Sequence, residues 1–156
     1  MSTPPIRRPR VTLWLLRLGL TVHALCVVAQ PVLAGRFLDG DYDAISAHSL
    51  NGSVLPASGM LVGAVALAYL IAGGAVWPLL AFSALWLAEG FQIGAGYARV
   101  LAIHIPLGVA IVVAALGLTI WSWLPAAARP RRGRQWRMRR EPARAALDRV
   151  AAEAGR

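Results

Sequence analysis

"QIGAGYARVLAIHIPLG", residues 92–108, contains the end of one apolar run, a short break and the start of another. The break, "GYARV" at 96–100, is too short for anything but a tight reversal, so the stretch predicts two helices running antiparallel. Working outward, the flanking runs extend over about 76–97 and 101–124, each close to the ~20 mostly apolar residues that cross a bilayer. Two more runs precede them, at about 11–34 and 46–71, separated from the third by Gly73-Gly74. "GRFLDGDYDA" at 35–44 is predicted as the one sizeable polar loop. The expected fold is an all-α membrane protein, a four-helix up-down transmembrane bundle over residues 11–124. A basic N-terminal segment (1–10) and an Arg-rich tail (125–156) flank it.

Composition supports this reading. The 156-residue chain is 58% hydrophobic and only 15% charged, whereas soluble domains carry about 25% charged residues. Between Arg17 and Arg129 the only charges are Arg36, Asp39, Asp41, Asp43, Glu89 and Arg99. The net charge of +9 therefore sits at the two ends, and every basic residue is an arginine. Basic flanks around apolar spans mark cytoplasmic segments, so both termini are expected in the cytoplasm of a cell whose inner membrane holds the bundle. No recognition module accompanies the tail, and nucleic acid is excluded as a partner. The lipid bilayer is the expected surroundings.

"RRPR" followed by an apolar run and "VLA" (32–34) has some features of a secretory signal. The run is too long for one and contains Arg17, His23 and Gln30, so an uncleaved first helix is expected. The stretch 142–154 has helical spacing of Ala, Leu and Val, and the tail is read as a solvated topology signal. Cys26, alone in an apolar run, reads as a packing residue. Trp77, Trp121 and Trp123, with Trp14, fall near the expected inner interface, where aromatic belts form.

The chain repeats a pattern. "QPVLAGR" (30–36) leads to "HSLNG" (48–52), and "QIGAGYAR" (92–99) leads to "HIPLG" (104–108). The order Gln30, Gly35, Arg36, His48, Gly52 parallels Gln92, Gly96, Arg99, His104, Gly108. It implies internal duplication of a helix pair. His48 and His104 begin the second and fourth spans at matched depth, and in an up-down bundle these helices are diagonal partners. A planar cofactor between them would receive one imidazole from each side, and bis-His haem iron suits electron transfer. On this reading Gly52 and Gly108, one turn after each His, leave room for the ring. Arg36 and Arg99 pair with the propionates, and Gln30 and Gln92 sit near the same rim. Small-xxx-small spacing equally serves close helix packing, which keeps open a cofactor-free structural or accessory subunit of a respiratory or haem-handling complex. A transporter is disfavoured because few polar residues line the spans.

The segment 92–108 resembles the Gln-x-x-x-Gly to His-helix segment of heme A synthase, a family of two similar four-helix halves with a haem-type group between His residues of two helices. The present chain is similar to one such half, over about residues 11–124. The resemblance implies haem b with His48 and His104 as axial pair, and a quinol or a redox partner protein for electron exchange. Ser49 follows His48 where the family's catalytic helix has His-Arg, and a single half is present. Haem binding is therefore carried over and haem hydroxylation is not. No nucleophile–base set, phosphate loop or metal-cluster spacing occurs, and no enzymatic activity is read.

His23 and Glu89 lie deep in the first and third spans at similar depth, where ionisable residues are costly and face the bundle interior. They are expected to pair, either as a proton or quinol contact or as a clamp fixing the bundle.

Overall fold

The computed structural model describes residues 10–131 and Glu153. The bundle consists of α1 (Arg10–Leu38), α2 (Asp43–Ile71), α3 (Trp77–Tyr97) and α4 (Leu101–Trp123), followed by a 3-10 turn, Pro125–Ala128. All four helices are long and apolar enough to cross a membrane. The expected helix over 142–154 lies, Glu153 apart, outside the described residues.

Neighbouring helices pack around a square, α1 on α2 and α4, and α3 on α2 and α4. Within the described residues no Cα of α1 comes within 8 Å of α3, and none of α2 within 8 Å of α4, so these are the diagonals. The surface is apolar. Leu18, Leu25, Leu61, Leu87, Val109 and Val113 are all exposed, while His23, Glu89 and Ser122 are buried. This polarity suits a lipid solvent, in which ionisable groups turn toward the bundle interior.

Three turns close the helices in the same way. Gly40 N–H donates to Phe37 O (3.1 Å) and Asp41 N–H to Arg36 O (3.0 Å). Gly73 and Gly74 repeat this onto Leu70 and Tyr69, and Arg99 and Val100 onto Gly96 and Ala95. Each is a Schellman closure, which needs a left-handed residue just past the helix. Gly40 and Gly73 supply it at φ +100°; Arg99 supplies it at φ 57°. The predicted polar loop at 35–44 is accordingly much shorter. α1 runs on to Leu38 and α2 starts at Asp43, whose carboxylate in the first turn suits a helix N-terminus. Gly35 breaks nothing, because one glycine inside a long apolar helix costs only about 1 kcal/mol.

The α1–α2 and α3–α4 turns share one end of the bundle, called upper below. The α2–α3 turn and the end of α4 share the other. The lower end is tied by Tyr69, fully buried, whose hydroxyl donates to Ala127 O (2.8 Å) and accepts from Ala75 N–H (3.3 Å). The aromatic residues expected there gather in two pairs, Trp77 with Trp121 (centroids 4.4 Å) and Trp14 with Trp123 (5.5 Å).

Candidate functional site

Each imidazole at the upper end is fixed by the helix that precedes it in the chain. His48 Nδ1 lies 3.1 Å from Gln30 O, and His104 Nδ1 lies 2.9 Å from Gln92 O. A carbonyl oxygen only accepts, so both Nδ1 atoms carry the proton. Both Nε2 atoms are then lone-pair donors, the form in which histidine binds a metal, oriented by the hydrogen bond on its other nitrogen. The two rings stand across the α2–α4 diagonal with centroids 6.3 Å apart and planes at 62°. Six of the expected residues therefore meet: His48, His104, Gln30, Gln92, Gly52 and Gly108.

The glutamines and glycines act differently from the expectation. The Gln30 amide donates to His48 O (3.3 Å). A Cβ at Gly52 would stand 3.3 Å from Gln30 Nε2, and one at Gly108 2.8 Å from Gln92 Nε2. The notches in α2 and α4 thus hold the amides of the neighbouring helices. Gly96 serves the site too, since a Cβ there would lie 2.8 Å from Cε1 of His104. Gln30 Oε1 and Gln92 Oε1 are buried without a hydrogen-bond partner among the described residues.

The arginines sit above this layer. Both Arg36 and Arg99 are exposed. Arg36 forms an ion pair with Asp41, whereas Arg99 has no ion pair among the described residues.

Toward the lower end, His23 and Glu89 bridge the other diagonal. His23 Nε2 is 2.8 Å from Glu89 Oε1, and both residues are almost fully buried. His23 Nδ1 is 3.0 Å from Ser58 Oγ, whose own proton goes to Leu55 O (2.9 Å). Nδ1 is therefore the donor to Ser58. One proton is left for the Nε2···Oε1 contact, and the pair is neutral overall whichever atom holds it. Glu89 Oε2 has no partner among the described residues.

Two arrangements escaped the sequence. Ser58 as third member of the His23 group had no signal beyond being a polar residue within a span. Arg17 lies 5.0 Å from the Trp14 ring and 5.2 Å from the Trp123 ring, and its Nε donates to Ser122 O (2.8 Å). Trp14 and Arg17 are three apart on α1, which brings them to one face, but the partner ring comes from α4.

Two histidines cannot complete a tetrahedral zinc site, and no group of three or more His, Cys, Asp or Glu gathers for a metal among the described residues. A metal between His48 and His104 would need its remaining ligands from a non-protein group. Compared with models of known protein families, with curated proteins and with solved structures, the chain matches none.

Proposed function

We propose that the protein is an integral membrane haem b protein that transfers electrons through a bis-His haem at the upper end, akin to one four-helix half of heme A synthase. The observation that carries this reading is the His48–His104 pair itself. Both Nδ1 protons are held by backbone carbonyls, and no hydrogen bond is made by either Nε2 among the described residues. The ring centroids lie 6.3 Å apart, a separation at which His48 and His104 would both reach one metal through bonds of about 2.0 Å. A porphyrin would supply the further ligands, and its iron would carry the electron when bound. The chain's own part is to hold the two imidazoles in the ligating tautomer from opposite helices.

Arg36 and Arg99 would neutralise the propionates at the aqueous rim. Arg99 occupies a left-handed position that glycine fills at less cost, by about 1 kcal/mol or more. Strain of this kind gathers at functional positions. With the Arg-rich ends cytoplasmic, the upper end faces outward from the inner membrane, and a quinol or a redox partner protein exchanges electrons there.

A cofactor-free accessory subunit is the second reading. It is favoured by the Gln amides in the Gly52 and Gly108 notches, which make those glycines packing residues. A visible spectrum of protein produced with ample haem and purified in detergent separates the two. The expected result is a low-spin Soret band lost in both His48→Ala and His104→Ala. Absence of the band favours the accessory subunit, and a Soret band unchanged in both variants removes His48 and His104 as its ligands.

A further inference from the structure

We propose that His23 and Glu89 form a redox-linked proton site, which binds one proton at Glu89 Oε2, entering from the upper end, for each electron that the His48–His104 site receives. This rests on the haem reading for its electron, but the proton site stands on its own geometry. The pair spans the α1–α3 diagonal, is almost fully buried, and holds one proton between Nε2 and Oε1 at 2.8 Å. Oε2 is the acceptor without a partner among the described residues, since Nδ1, Nε2 and Oε1 each have one.

The balance is simple. One electron from a one-electron donor adds a negative charge at the upper site. One proton from water binds Oε2, Nδ1 keeps its own, the shared proton stays between Nε2 and Oε1, and the pair passes from neutral to +1. In a low-dielectric interior an uncompensated charge is costly, so the two events favour each other.

The direction of entry follows from which side holds acceptors without a hydrogen-bond partner among the described residues. Gln92 lies one turn above Glu89 on α3, about 4.5 Å along the axis, and Gln30 two turns above His23 on α1, about 10 Å. Both present buried acceptor oxygens without donors among the described residues. Together with Oε2 they make a row of acceptors between the pair and the upper end, suited to carrying protons on water. Below the pair the buried polar side chains are already bonded: Ser122 Oγ donates to Thr119 O and the Tyr69 hydroxyl to Ala127 O. The Phe82 ring lies edge-on to His23 at 5.3 Å, and Leu20, Val62 and Leu118 are buried as well. Among the described residues, the only titratable or hydroxyl side chains hydrogen-bonded to the pair are its own two members and Ser58; Cys26, one turn above His23 on α1, is a partly buried thiol. α2 contributes the hydroxyl of Ser58, and the buried residues of α4 near this level are Ile111, Ala115 and Leu118.

The test is a potentiometric titration of the haem-loaded protein at a series of pH values. Proton uptake on reduction makes the midpoint potential fall as pH rises. Full coupling gives a tenfold change in the reduction equilibrium per pH unit, about 59 mV for one electron. Glu89→Gln is expected to flatten this dependence while the low-spin spectrum persists. A potential independent of pH in the wild type, or a slope unchanged in Glu89→Gln, overturns the proposal and makes the pair a structural clamp. Glu89→Asp keeps the carboxyl and is expected to retain the slope that Glu89→Gln loses; a slope lost equally in both counts against the site. Infrared pH-difference spectra of oriented proteoliposomes read the same carboxyl without any haem. A carboxyl band assigned to Glu89 by its loss in Glu89→Gln or its shift in Glu89→Asp, and responding to pH on the upper side only, supports the site. No such band, or a response of that band from the lower side, overturns it. Failure to bind haem alongside a titrating carboxyl band would sink the electron-transfer reading and leave the proton site standing.

Discussion

Arg99 is the residue at which local energetics and proposed role oppose each other. Its φ of 57° closes α3 by the geometry that glycine provides at Gly40 and Gly73. An L-residue there costs roughly 1–2 kcal/mol. Arg99→Gly is therefore expected to raise the thermal midpoint in detergent, by an amount corresponding to about 1 kcal/mol. If its guanidinium holds a propionate, the same variant should release haem faster than wild type. A variant that is stabilised and retains haem as wild type does would remove Arg99 from the site and leave the turn as its whole role. Arg36 is a less informative target, because Asp41 already engages it.

At the scale of elements, the helix pairs α1–α2 and α3–α4 repeat one device. The earlier helix offers a Gln carbonyl to the His ring of the later one, and places its amide against a glycine one turn further on. The diagonals, by contrast, are spanned by side chains alone. His23 and Glu89 join α1 to α3, so removing either leaves a polar group buried without its partner. Each of His23→Ala and Glu89→Ala is expected to cost about 3–5 kcal/mol. The double variant should lose clearly less than the sum, because interacting partners show coupling of about 0.5–3 kcal/mol. Strictly additive losses in reversible detergent unfolding would show that the two act independently.

For the whole molecule, the arrangement of charge predicts the orientation. The arginines cluster toward the two termini of the chain, before α1 and after α4, and only Arg36 and Arg99 lie near the upper turns. The upper end is therefore expected outside, by the positive-inside bias. Single cysteines in a Cys26→Ser background check it with an impermeant thiol reagent on intact cells. A cysteine at Asp41 should label, and one at Ala143 should label only after lysis. Labelling at Ala143 in intact cells would invert the topology, and with it the side from which the proton site is reached.

Much of this was legible in the linear chain. The number of helices, their approximate ends and the matched depth of His48 and His104 follow from apolar run length and from counting residues, because the cost of placing a segment in lipid adds up locally along the chain. The His23–Glu89 pair was legible for a related reason: a buried ionisable residue demands a partner, and only one was available at that depth. The short 39–42 turn was hidden because a polar stretch can continue a helix until a left-handed residue ends it, and Gly35 and Gly40 look alike in sequence. Only the tertiary structure decided which ring nitrogens bear protons, that the Gly52 and Gly108 notches hold glutamine amides, that Ser58 completes the buried pair, and that Arg17 sits against tryptophans of α1 and α4. Each of these depends on the rotation of a helix about its axis and on its approach to a neighbour, both set by packing between segments distant in the chain.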